Sequence, residues 1–286
     1  DANGISGNND IANVVMTDDE GYYEIIIPAG TYRLEFEKML YLGETMYYQA
    51  IQERTVYLDT ITLYDESWTD SIFLNMYGQV YDAITGSNVS GAQVKLRNGW
   101  NNKTGSYVTG LFGIVKQETT DSSGSYSVSL QVGAYTAEIS KNGYVTAYIN
   151  VTSSPNNGIQ YATITPVLDD NEYRIILTWG DTPRDLDSHL TGTVNGNSFH
   201  VYYGSKSYSY NGTTIASLDW DDTSSYGPET VTLTWTGDIG NCTYYVQDFT
   251  NGSNSNSTAL SYSSAKVMVY QGNSLIETYN VPIGFR

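Results

Sequence analysis

The chain has 286 residues, 31 acidic and 13 basic side chains and a formal charge of -18, yet only 15% of it is charged. An acid surplus without a basic cluster repels nucleic-acid phosphate and anionic lipid, which argues against both as partners. Apolar runs fall short of the roughly 18 to 20 residues of a membrane span, and Cys242 is the only cysteine, so an intrachain disulfide and a cysteine metal cluster are excluded.

With 40% apolar residues and 27 tyrosines the chain is too hydrophobic for disorder. Asp1 in place of a methionine is expected of a chain that has lost a signal or of an excised segment. In chain order, apolar side chains alternate with polar ones at Tyr23, Ile25, Ile27; Tyr32, Leu34, Phe36; Val56, Leu58 with Ile61, Leu63; and Val94, Leu96. The alternation returns at Tyr126, Val128, Leu130; Ile175, Leu177, Trp179; and Val231, Leu233, Trp235. A period of two bounded by Gly, Asn, Asp and Ser predicts strands, and the fold class is all-β. Only Met39 to Arg54 leaves room for a helical turn. The polar run from Arg97 to Gly105 predicts a hairpin extension in which Trp100 either packs over its own loop or serves as a binding aromatic.

An internal repeat organises the first half. Thr17, Asp18, Gly21, Tyr23, Gly30, Tyr32 and Lys38 recur 103 residues later as Thr120, Asp121, Gly124, Tyr126, Gly133, Tyr135 and Lys141. The pattern reads as a hairpin: an Asp-Gly turn, a strand with its aromatic inward, a Gly turn and a return strand. A repeat of this length is a whole domain.

The runs Gly78 to Gly86, Val89 to Leu96, Thr120 to Tyr126, Gly133 to Tyr135 and Lys141 to Tyr144 resemble the carboxypeptidase regulatory-like domain. That resemblance implies a transthyretin-like Greek-key sandwich without catalytic residues, common in bacterial surface proteins. Residues 1–76 look like a second, partial copy that lacks the opening Gly-x-Val strand, and residues 77–168 form the full one. Residues 169–286 depart from both. The runs Tyr173 to Gly180, Asp185 to Leu190, Phe199 to Tyr203 and Leu218 to Thr230 resemble an uncharacterised bacterial surface domain, here expected to be a distinct acidic β-sandwich.

This last segment holds the chemistry. Alternate strand positions face one way about 6.8 Å apart, so Asp185, Asp187 and His189 are expected to share a face of one strand and Asp219 and Asp221 a face of another, the two strands pairing side by side to make one carboxylate cluster. Asp222 and Glu229 are further candidates. Crowded carboxylates repel unless a cation neutralises them, and an oxygen-rich, thiolate-free set points to Ca²⁺ before Zn²⁺, although His189 and His200 keep zinc open. The competing reading is that these Asp residues only cap turns through their own backbone.

Ser188 and His189 are neighbours that point opposite ways on a strand, and no Gly-x-Ser-x-Gly elbow occurs, so no catalytic residue is assigned. Tyrosine doublets such as Tyr202-Tyr203 and Tyr244-Tyr245 place one ring outward. Such rings suit either cross-strand packing or a sugar or protein partner. Seven Asn-x-Ser/Thr sequons read as a consequence of composition. The expected function is a non-catalytic, extracellular, cell-surface adhesion segment that meets a protein or glycan ligand on a cell or matrix surface. The alternative is a carbohydrate-binding module accessory to a secreted polysaccharide-degrading enzyme.

Overall fold

The computed structural model describes residues 14–39, 41–50, 55–65, 73–155 and 158–284. Its first strands are β1 (Gly30–Phe36), β2 (Glu44–Ala50), β3 (Phe73–Asp82), β4 (Gln93–Asn98), β5 (Gln117–Thr119), β6 (Ser125–Gln131), β7 (Gly133–Ser140), β8 (Ala147–Ser153) and β9 (Gln160–Ile164). The acidic segment adds β10 (Glu172–Thr178), β11 (Leu186–Val194), β12 (Asn197–Val201), β13 (Ser207–Tyr210) and β14 (Thr213–Trp220). It closes with β15 (Glu229–Thr234), β16 (Thr243–Asp248), β17 (Lys266–Gln271) and β18 (Ser274–Asn280). The fold is all-β, as tandem sandwich modules require.

In the second module, sheet β6-β3-β9 faces sheet β5-β4-β7-β8. Period-two alternation sends Met76 and Val80 of β3, Leu130 of β6, Leu96 of β4 and Ile139 of β7 into one interior, each at most 1% exposed. Every such side chain contributes roughly 1.5–3 kcal/mol on burial.

The hairpin reading of the repeat is corrected here. Strands β6 and β7 lie in different sheets: β6 pairs with β3, whereas β7 pairs with β4 and β8. Alternation decides which face a strand turns to the core but not which strand it pairs with. The short connection through Val132 carries the chain across the sandwich instead of back along one sheet.

The repeat itself recurs in atomic detail. Asp18 Oδ1 accepts from the amides of Glu20 and Tyr22, and Asp121 Oδ1 accepts from those of Ser123 and Ser125. Gly21 and Gly124 both take positive φ, at 89° and 75°. The Tyr32 hydroxyl donates to Pro28 O at 2.9 Å, and the Tyr135 hydroxyl donates to Gln131 O at 2.9 Å. Strands β1 and β2 begin 103 residues before β7 and β8.

Within the first module β1 and β2 pair antiparallel from Gly30↔Ala50 to Phe36↔Glu44. The helical turn considered for Met39 to Arg54 is therefore replaced by strand β2, whose Tyr47 and Tyr48 lie opposite Arg33 and Tyr32; Leu40 and residues 51–54 lie outside the described residues. Residues 22–28 and 55–64, also expected as strands, carry no strand ladder. Trp100 is 8% exposed and packs with Met46 and Ala134, and its indole N–H donates to Val151 O at 3.1 Å. It is neither an exposed binding aromatic nor a lid over its own loop alone. Backbone bonds from Tyr47 N to Trp100 O and from Trp100 N to Thr45 O, both 2.9 Å, fasten the first module to the second through this residue.

The third module packs the six-stranded sheet β13-β14-β15-β10-β17-β18 against β12-β11-β16. Its interior joins Leu190, Val194 and Phe199 of the smaller sheet to Ile215, Leu218, Val231 and Leu233 of the larger one. Among the described residues no helix is long and apolar enough to cross a membrane.

Candidate metal centre

At one end of the third module β11 and β15 approach each other from opposite sheets. Leu186 and Leu190 of β11 point into the sandwich, so Asp187 belongs to the alternate face, 3% exposed at the strand's first turn. Glu229 opens β15 and is fully buried. It follows a loop in which Ser225 and Tyr226 both hold positive φ, 87° and 69°, a costly conformation for residues with a Cβ. Backbone bonds of 3.2 Å from Trp179 N to Tyr226 O and from Tyr226 N to Gly180 O hold that loop in place. Asp221 follows β14.

Asp187, Asp221 and Glu229 each offer a carboxylate oxygen, and these oxygens all lie within 4.8 Å of one another. Hydrogen bonding accounts for part of the set. Glu229 Oε2 accepts from Ser188 N at 2.6 Å, and Asp221 Oδ2 pairs with Lys206 Nζ at 2.7 Å. Buried Glu229 Oε1, Asp187 Oδ2, Asp221 Oδ1 and Asp185 Oδ1 have no hydrogen-bond partner. Four acceptors left unmatched at one end of a sandwich are costly, at roughly 1–3 kcal/mol each.

Proton affinity responds accordingly. Burial pushes the Glu229 carboxyl up to about 9, against the Ser188 hydrogen bonds and with help from Asp187 and Asp221. Burial first, then the charges of Asp185 and Asp221, raises Asp187 to about 7. Asp185 is raised by burial and by Asp221.

The remaining candidates separate. The strands of Asp187 and Asp219 were expected to pair side by side, but β11 and β14 lie in opposite sheets, and a register shift between Leu218 and Trp220 in the β14–β15 pairing also breaks the alternation that would keep Asp219 beside Asp221. The Asp219 carboxylate instead accepts from Ser217 Oγ at 2.5 Å and from Thr232 Oγ1, in a cavity of about 290 Å³ shared with Arg174 and Glu172. Asp222 caps its own turn, with Oδ1 accepting from Ser224 N at 2.7 Å and Ser224 Oγ at 2.6 Å. The turn-capping reading thus describes Asp222.

His189 shares its strand face with Asp187, yet its Nδ1 meets His200 Nε2 at 2.8 Å and its ring stacks on Tyr245 at 4.7 Å. The Ser188 hydroxyl bonds the Tyr244 hydroxyl at 2.7 Å, so the adjacent Ser and His face apart. Glu229 was the residue that strand alternation undervalued. Its only sequence signal was an acid at the head of a Val-Thr-Leu strand, where burial is normally apolar.

No curated protein matches the sequence. Among solved structures the chain is similar to a streptococcal ancillary pilin (15% identity, 77% of this chain and 66% of that one, TM-score 0.28). It is also similar to the major pilin subunit of Bacillus cereus (14%, 73% and 70%, TM-score 0.27). The Bacillus anthracis TIE protein matches with 13% identity over 93% of this chain and 42% of that one, TM-score 0.26. The chain therefore spans just under two thirds of the first of these structures and less than half of the last. Residues 75–167 match the carboxypeptidase regulatory-like domain, the module built from β3 to β9.

Proposed function

We propose that the chain is a non-catalytic, extracellular segment of a bacterial surface protein whose third module is locked by Ca²⁺ bound to Asp187, Asp221 and Glu229, with Asp185 alongside. The observation that carries the cation is the convergence of carboxylate oxygens that are buried and unpartnered. Oxygens bound to one Ca²⁺ at 2.3–2.6 Å stand up to about 5 Å apart, which the 4.8 Å spread satisfies. All donors are hard carboxylates, which favours Ca²⁺ over Zn²⁺. His189 turns its Nδ1 to His200 and stands outside the group of converging carboxylates. Supporting the non-catalytic reading, Ser188 bonds Tyr244 and not an imidazole.

Calorimetry of the full chain tests this. A ligand at a hundredfold excess over its Kd stabilises the fold by about 2.7 kcal/mol, so millimolar Ca²⁺ should raise the third module's melting transition by roughly 5–10 °C and a chelator should reverse it. Asp187→Asn should remove the response. A transition unmoved by Ca²⁺ and by chelator sinks the cation reading.

The second reading, a carbohydrate-binding module, draws on one surface. Tyr203, Tyr245 and Phe249 stand 41%, 43% and 47% exposed around His200 on the outer side of β12-β11-β16. A glycan array separates the two readings: retention of selected sugars, lost on Tyr245→Ala, favours the module, and retention of none favours the surface segment.

A further inference from the structure

Two aromatic residues of the third module rest on the second, and both lie beside the candidate ligand Asp221. Trp220 ends β14 and covers the turn that follows β3, where a Cβ placed on Gly86 would stand 2.2 Å from its ring. Tyr226 packs on Tyr161 of β9 with ring centroids 4.3 Å apart, and Tyr161 stacks in turn on Tyr81 of β3 at 6.0 Å. Both receiving surfaces are stiff. Asp82 Oδ1 accepts from the amides of Ile84 and Thr85 at 2.8 and 2.9 Å, which fixes the turn under Trp220, and Tyr161 is part of the β3–β9 ladder. A further contact involves no residue of the 220–229 segment: Ala83 of the second module is buried with Ile176 and Met268 of the third.

The segment that carries the two rings also carries two of the three converging carboxylates. Trp220 directly precedes Asp221, and Tyr226 sits in the loop that Asp221 opens and Glu229 closes. Positive φ at Ser225 and Tyr226 strains that loop. Backbone bonds of 3.2 Å, at the long end of the usual range, hold it together with the side-chain bonds of Ser225 and Tyr226 to Asp181. Asp187 and Glu229 are 3% and 0% exposed on strands and each keeps a buried oxygen without a partner, whereas Asp221 is half-buried. Repulsion among the three therefore displaces Asp221 first, and with it the start of the loop. A cation bridging Asp221 to Glu229 removes that repulsion and ties both ends of the loop to Asp187 on β11.

We infer that cation binding at Asp187, Asp221 and Glu229 fastens the third module onto the second by holding residues 220–229 where Trp220 closes on Gly86 and Tyr226 on Tyr161, a role that rests on the cation reading above and carries the site's effect beyond its own module. Ala83 and its neighbours form the pivot of the joint, and the two rings form its clamp. Coupling of this kind is reciprocal: whatever the cation contributes to docking, docking returns to cation affinity. The second module thus tunes a site to which it gives no ligand.

Hydrogen exchange and titration calorimetry on the full chain test this, with Ca²⁺ as the probe and chelator as the reference. Saturating Ca²⁺ should slow amide exchange at residues 83–87 of the second module by about fivefold or more, the lower end of ordinary coupling between sites. Tyr161→Ala leaves every ligand and the loop itself in place, yet it should weaken Ca²⁺ binding by a similar factor. Trp220→Ala should abolish the slowing at 83–87 while the third module still melts at a higher temperature in Ca²⁺. A response confined to the third module, with Tyr161→Ala binding Ca²⁺ as tightly as the parent, overturns the joint and leaves the cation reading standing. No response to Ca²⁺ in either module overturns both.

Discussion

Glu229→Gln separates a cation site from a mere acidic pocket because the two readings predict opposite signs. The side chain is fully buried, Oε2 accepts from Ser188 N, Oε1 has no partner, and one carboxylate oxygen of Glu229 lies within 4.8 Å of one from each of Asp187 and Asp221. A glutamine keeps the acceptor for Ser188 and turns the second arm into a donor aimed at those carboxylates. In chelator at pH 8, the parent holds Glu229 mostly protonated, its carboxyl raised to about 9, and must take up that proton on folding, a cost of about 1.4 kcal/mol per pH unit above the unfolded value that the neutral glutamine avoids. It should therefore melt above the parent by roughly 5 °C. In millimolar Ca²⁺ the order should invert, since the parent gains about 2.7 kcal/mol at a hundredfold excess over Kd and the variant has lost a ligand. The pH dependence has a defined sign. Asp187 and Glu229 have folded pKa values raised to about 7 and about 9, so the metal-free fold binds more protons than the unfolded chain. Metal-free stability should fall as pH rises from about 4 to about 9, while apparent Ca²⁺ affinity should rise over the upper part of that window. Differential scanning calorimetry of both proteins, with chelator and with Ca²⁺ at pH 5 and pH 8, measures all four corners. A variant that is less stable than the parent in both conditions would refute the reasoning.

Trp100→Ala should cost about 3–5 kcal/mol by cavity formation and loss of the bond to Val151, and limited proteolysis should then cut residues 14–65 while sparing the third module. Glu138→Ala should lower the second module's stability by about 3–5 kcal/mol, because it strands the Arg97 guanidinium, whose side chain is 8% exposed and paired at 2.6 Å; urea denaturation reads the loss. Asp59→Ala should cost no more than about 1 kcal/mol, and less at high salt, since Lys266 and Asp59 are both partly solvated; melting curves at two ionic strengths check it. The full chain should hydrolyse neither glycosides nor esters, and steady turnover abolished by a single carboxylate substitution would show otherwise.

What local pattern could reveal was strand identity. Tyr126, Val128 and Leu130 alternate with serines and lie buried, and the offset of 103 carried the Asp turn and the tyrosine bond from one copy to the other. What it could not reveal was pairing. The step from β6 to β7 looks like a hairpin in sequence, yet β3 and β4 occupy the neighbouring positions and send the two strands to opposite sheets. The same limit explains the candidate site. Alternation placed Asp187 well enough, but a slip between Leu218 and Trp220 moved Asp219 to another surface, and no local pattern announces a bulge. Glu229 comes from the opposite sheet, so only the folded sandwich brings it to Asp187.

At the third module's acidic end, folding withdraws carboxylate oxygens of Asp185, Asp187, Asp221 and Glu229 from water and leaves them without hydrogen-bond partners. Withdrawing a polar group without pairing it costs more than a hydrogen bond returns, and carboxylates with a 4.8 Å spread suit a small hard cation. Lys266 on β17 reaches Asp59 at 3.0 Å from the module that holds these carboxylates. A cation that stiffens the third module should therefore steady residues 57–61 through that contact, and Ca²⁺ should slow amide exchange at 57–61 more than at 22–28, a difference that hydrogen exchange with and without chelator measures.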